Sequence, residues 1–184
     1  YVNFIDAKKA TREQLEDYII ERQSRCSPFT VQGDILELNL FFRWLIPGGE
    51  EDLFQNIKIK KDLQTDIPML LADATQLKQV FLNIILNAAQ AMTGKGSLVI
   101  STSHEAGVIT IKIKDTGPGI PPENIGKLFN PFFTTKEKGT GLGLAISYGI
   151  VERHSGKIDV ETEFDKGSTF IISLPVDGKA IGIV

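Results

Sequence analysis

The chain has 184 residues, 42% of them hydrophobic and 23% charged, which suits one soluble domain with a full core, or one domain plus an appendage. A net charge of −3 and a pI near 5.5 argue against a protein that coats nucleic acid, and the lysines and arginines form no basic run. A single cysteine, Cys26, excludes an internal disulfide framework and argues against a cysteine-based zinc site.

No apolar run reaches the length of a membrane span and no signal peptide opens the chain, which fits a cytoplasmic protein. The start at Tyr1, not Met, reads as a fragment of something longer. Residues 1–27 read as an N-terminal helical segment, with the helix in "TREQLEDYIIERQS" ended by Ser27-Pro28. Residues 28–184 read as the main domain. It opens on "GDILELNLFFRWLIPGG", an apolar, largely buried helix capped by Asp34 and Glu37 and stopped by Pro47-Gly48-Gly49.

"NIKIKKDL" alternates as a strand does. Asp73 and Gln76 then form a capping pair for a helix over "ATQLKQVFLNIILNAAQAM". "SLVISTSH" and "VITIKIKD" predict a hairpin across Glu105-Ala106-Gly107, and "GKIDVETEF" with "GSTFIISLP" predicts a second across Asp165-Lys166-Gly167. Between the hairpins lies a long loop ending in a helix, "GLGLAISYGIVERH". The fold class expected is an α/β two-layer sandwich with a mixed, mainly antiparallel sheet packed on helices.

Three stretches could carry chemistry. Gln79, Asn83, Asn87 and Gln90 share one face of an otherwise apolar helix. An Asn carbonyl oxygen suits Mg²⁺ beside phosphates, although such amides more often satisfy backbone groups or face water. In "DTGPGI", Asp115 closes a strand before Gly117-Pro118-Gly119; its carboxylate can accept from an exocyclic amine while the glycines admit a flat ring. A plain turn uses the same residues. In "KGTGLGLAIS", Gly139, Gly141 and Gly143 stand where a loop meets a helix start, a place for phosphates or for a bare hinge. No Gly-Lys-Ser/Thr follows, and G-x-G-x-G is not the dinucleotide spacing. Between the glycine clusters, Phe129, Phe132 and Phe133 suit the apolar anchor of a lid whose polar flap runs from Thr134 to Lys138.

In this order, "QVFLNIILNAAQAM", "DTGPGI", "LFNPFFTTK" and "GTGLGLAIS" resemble the N, G1, F and G2 boxes of the ATP-binding domain of two-component sensor histidine kinases. "IVERHSGKI" and "GSTFIISLP" match later landmarks, and the resemblance covers residues 55–176. It implies the Bergerat, or GHKL, fold and a Mg·ATP site. The catalytic residues it implies are Asn87, as the Mg²⁺ ligand, and Asn83, helping at the phosphates. Asp115, supported by Thr169, would receive the adenine amino group, with Gly117, Gly119 and Ile120 shaping that side. Gly139, Thr140, Gly141, Leu142, Gly143 and Leu144 would wrap the triphosphate. Phe132 and Phe133 would lie at the lid hinge, and Lys136 and Gln90 would reach the nucleotide.

The implied partners are a phosphoacceptor histidine domain, in the same parent chain or in trans, and a response-regulator receiver domain. No nucleic acid is implied, and the parent would be a membrane-anchored or soluble homodimer. Neither histidine looks like the acceptor. His154 follows the last helix, where the resemblance implies a structural role, and His104 ends a hairpin strand. A GHKL serine kinase of the anti-sigma-factor type is the alternative of the same fold. Chaperone- and topoisomerase-like ATPases usually carry Glu where Asn83 stands. A nucleotide-binding regulatory module without transfer activity is the alternative of another class.

Overall fold

A computed structural model describes residues 56–176 apart from 66, 69, 71, 94, 137 and 138. The two N-terminal helices and the boundary at residue 27 lie outside the described residues.

Five strands and three helices follow the predicted order with one addition. Strand β1 (Asn56–Leu63) leads to helix α1 (Ala74–Ala91), then to the hairpin β2 (Lys95–Glu105) and β3 (Val108–Asp115). A one-turn helix α2 (Pro122–Ile125), absent from the expectation, precedes α3 (Gly143–Arg153) and the hairpin β4 (Lys157–Glu163) and β5 (Gly167–Pro175). Pro122 opens α2 without any side-chain cap, and none of its residues is buried, so the hydrophobic period that betrays longer helices is missing.

The sheet order is β1-β2-β3-β5-β4, with β1 parallel to β2 and every other pair antiparallel. Period-two alternation puts one set of side chains under the helices. Ile100, Ile113, Phe170 and Val160 form one row across four strands. Helices α1 and α3 pack on each other; α1 also meets β3, and α3 meets β4. The core between the layers is aliphatic: Val80, Ile84, Leu98, Ile109, Ile113, Val151 and Ile172 are all essentially sealed from water. Each such side chain contributes roughly 1.5–3 kcal/mol on burial, enough to hold two layers without any disulfide.

The start of α1 differs from a simple capping box. Asp73 Oδ1 accepts the Gln76 N–H at 3.1 Å, as expected, and this backbone bond holds its carboxyl below the usual range. The Gln76 side chain does not return to the Asp73 N–H. Its Nε2 bonds Asp73 Oδ2 at 2.9 Å, while the Asp73 N–H goes to His154 Nε2 at 2.9 Å. Because that amide can only donate, Nε2 accepts and Nδ1 carries the proton to the Ile150 carbonyl at 2.8 Å. His154 thus ties the beginning of α1 to the end of α3 through both ring nitrogens.

Candidate functional site

Helices α1 and α3 and the ends of β3 and β5 enclose an open cleft of about 760 Å³, within the range of small-molecule sites. Gly117 packs beside Ala91 at the C-terminal end of α1, and Gly143 packs beside Asn83 two turns earlier. At 1.5 Å per residue those two positions are about 12 Å apart along the axis, so the cleft has two ends.

At one end stands Asp115. In β3 the inward positions are Ile109, Ile111, Ile113 and Asp115, so the period that buries three isoleucines also buries this carboxylate, which is 3% exposed. Its Oδ1 accepts the N–H of Gly117 at 2.8 Å and the N–H of Ser168 at 3.3 Å. Desolvation raises its pKa above the usual carboxylate value, and the two amide bonds oppose the shift without cancelling it. Oδ2 has no donor among the described residues, which leaves a free acceptor on a residue that lines the cleft. Gly119 (φ +71) lines the same end, where any Cβ would lie 2.3 Å from the Glu163 carbonyl oxygen.

At the other end, α3 begins at Gly143 with Leu142 as N-cap and no side-chain cap. The amides of its first turn have no intrahelical acceptor and can meet an anion. Gly139, Thr140, Gly141, Gly143 and Leu144 all line the cleft. Along the α1 side the amides of Asn83, Asn87 and Gln90 line it too. Lys136 reaches across from the intervening loop, and its Nζ donates to Asn87 Oδ1 at 2.7 Å and Gln90 Oε1 at 2.6 Å. The residue as a whole is exposed, but its ammonium loses water between these oxygens, which lowers its pKa from the ordinary lysine value.

Of the residues that the resemblance assigns to the nucleotide, the structure gathers most in this cleft and leaves four outside its lining: Gly117, Phe132, Leu142 and Thr169. Gly117 still serves through its N–H to Asp115. Thr169 is out of phase. In β5 the inward set is Ser168, Phe170, Ile172 and Leu174, so Ser168 lines the cleft in place of Thr169, and its backbone N–H also meets Asp115. Counting from Phe170 along the strand would have found it. Phe132 is no apolar anchor, for its side chain is 75% exposed. It acts through its backbone, held at φ +67, whose N–H donates to the Gly141 carbonyl at 3.0 Å. Phe129 is the ring packed toward the core, 5.3 Å from Tyr148, and Phe133 lines the cleft. His104 is half-buried and lies outside the cleft, its backbone N–H bonded to Gln64. Gln79 is exposed and outside it as well.

A sheet-and-helix sandwich with an acceptor at one end of a cleft and free helix-start amides at the other suits a ligand that carries a donor at one end and an anion at the other, as a nucleotide does. Comparison with known proteins narrows this reading. Residues 72–178, more than half of the chain, match the family model of histidine kinase-, DNA gyrase B-, and HSP90-like ATPases. Sporulation kinase C of Bacillus subtilis is 45% identical over 125 residues, covering 67% of this chain and 29% of that protein. The sensor histidine kinase ZraS of Escherichia coli K12 is 40% identical over 123 residues, covering 67% of this chain and 26% of that protein. The nucleotide-free catalytic domain of the histidine kinase ThkA superposes with a TM-score of 0.66 at 32% identity, covering 80% of this chain and 93% of that domain. This chain therefore belongs to the histidine kinase-, DNA gyrase B- and HSP90-like ATPase family, and its fold is the GHKL sandwich of sensor-kinase catalytic domains. It spans less than a third of the length of these two curated relatives. Among the described residues no helix is long and apolar enough to cross a membrane.

Proposed function

We propose that this domain binds Mg·ATP and presents its γ-phosphoryl group to a histidine on a separate phosphoacceptor domain, which passes it to a response-regulator receiver domain. The carrying observation is the polarity of the cleft, with the free Asp115 oxygen at one end and the amides of α3 at the other. In this reading Asp115 accepts the adenine amino group, and the α3 amides with Gly139, Gly141 and Gly143 hold the phosphates. The donors along α1 are amide oxygens, and among the described residues no cluster of three His, Cys, Asp or Glu could hold a metal alone. That set fits Mg²⁺, which takes few protein oxygens beside phosphates. Asn87 would hold the ion, whose charge offsets that of the phosphates.

Asp115 is the only carboxylate lining the cleft among the described residues, and it stands away from the phosphate end. Among the described residues no general base is placed there to activate water, which favours transfer to an external acceptor over hydrolysis. Lys136 holds Asn87 Oδ1; were Asn87 to give that oxygen to a cation, the ammonium would be released and could reach the phosphates as a charged donor.

Two outcomes are expected from calorimetry. Asn87→Ala retains nucleotide binding but loses its Mg²⁺ dependence; an unaltered Mg²⁺ dependence would remove Asn87 from the metal site. Lys136→Met weakens ATP binding by about tenfold or more, as loss of a charged hydrogen bond does, and leaves adenosine binding unchanged. Equal weakening of both ligands would count against a phosphate role. Phosphotransfer itself is tested with labelled ATP and an added acceptor domain: label on histidine is lost in acid, whereas label on serine survives and would point to the serine-kinase reading.

A further inference from the structure

We infer that Ser147 is a positioning residue that, together with the Gly143 carbonyl, holds the Asn83 amide in one polarity, so that Asn83 meets the ligand only as an acceptor. This deepens the nucleotide-site reading and rests on it. Ser147 lies one turn into α3 and is wholly buried, a polar residue among the aliphatic side chains Ile150 and Val151. Its hydroxyl donates to the Gly143 carbonyl at 2.9 Å, so its lone pairs are left to accept. Asn83 Nδ2 supplies the donor at 3.3 Å, and the same Nδ2 donates to the Gly143 carbonyl at 3.1 Å.

The Gly143 carbonyl can only accept, so a flipped Asn83 amide would set oxygen against oxygen there. Both Nδ2 protons are thereby committed to α3. The remaining group, Oδ1, has no donor among the described residues, and Asn83 lines the cleft. An amide fixed in this way cannot donate to a phosphate oxygen. It can accept from a metal-bound water or face the cation itself, which replaces the looser expectation of help at the phosphates. The link also ties α1 to the first turn of α3, where the free amides begin.

The test is a double-mutant cycle on Asn83→Ala and Ser147→Ala. Binding of the β,γ-imido analogue of ATP is measured with and without Mg²⁺, and thermal unfolding serves as the fold control. Ser147→Ala removes one of the two acceptors that hold Asn83 Nδ2 and so loosens the amide, while the Gly143 carbonyl still opposes its flip. It is expected to lower the gain in affinity that Mg²⁺ confers by about 3- to 10-fold, the weight of one hydrogen bond, with metal-free affinity unchanged. The double variant should match Asn83→Ala alone, because Ser147 acts through Asn83. Additive losses in the double variant, or equal losses with and without Mg²⁺, would overturn the inference while leaving the nucleotide site standing. Absence of nucleotide binding by the folded wild type would overturn that site and this inference together.

Discussion

Asp115→Asn is expected to lower affinity for ATP by about 100-fold and to shift base preference away from adenine. Oδ1 of Asp115 is occupied by the amides of Gly117 and Ser168, and an Asn oxygen can keep those bonds. The amide nitrogen must then take the place of Oδ2. A donor would face the adenine amino group where an acceptor stood, which leaves a buried polar clash and removes a charge-assisted bond. A carbonyl at the same position of a purine, as in inosine or guanosine triphosphate, would suit the new donor better. Competition binding of ATP against inosine triphosphate reads this directly, and an unaltered ratio would show that Asp115 does not read the base.

The same carboxylate has a pH signature. Burial raises its pKa in the folded chain, so between the ordinary carboxylate value and the raised one the folded chain keeps a proton that the unfolded chain has lost. Asp115 therefore takes stability from the fold as pH rises through that window. Nucleotide binding, which uses the charged form, strengthens over the same window. Opposite slopes of melting temperature and affinity should appear there, and Asp115→Asn should flatten both.

Gly141→Ala is expected to cut nucleotide binding by about 100-fold, the scale of a misplacement near 1 Å, with little loss of stability. Gly141 sits at φ +66, and an added Cβ would lie 2.4 Å from the Phe132 carbonyl carbon and 2.7 Å from its oxygen. Those are backbone atoms and cannot turn aside. The loops must part, breaking the bond from the Phe132 N–H to the Gly141 carbonyl and moving the approach to α3. Residues 130–132 and 139–140 are exposed, so the layered core is untouched. Gly126→Ala is the control, because nothing lies within 4 Å of its Cβ. Full binding by Gly141→Ala would show that this loop does not hold the phosphates.

Most of the fold was legible because its signals are local. The strands announce themselves by alternation, and the first hairpin turn by Ala106-Gly107, both at positive φ. The polar face of α1 was legible too, since Asn83, Asn87 and Gln90 recur near the helical period. The misplaced features have equally specific causes. Thr169 was chosen by motif and not by strand phase. Phe132 was judged by its apolar side chain, whereas its backbone does the holding. Asp73 and Gln76 were read as a closed pair, whereas His154 takes the Asp73 amide.

By itself the sequence determined which face of each element is buried, where the chain turns, and which polar groups interrupt the apolar periods. These follow from steric and hydrophobic rules acting over a few residues. The tertiary structure alone decided the partners. Asp115 meets Ser168 across 53 residues, Lys136 meets Asn87 across 49, Asn83 meets Ser147 across 64, and Asp73 meets His154 across 81. It also decided that β1 runs parallel to β2. A period tells a side chain to point inward but carries no record of what waits there. That is set only when the α1–α3 layer closes on the sheet and brings distant polar atoms within bonding distance.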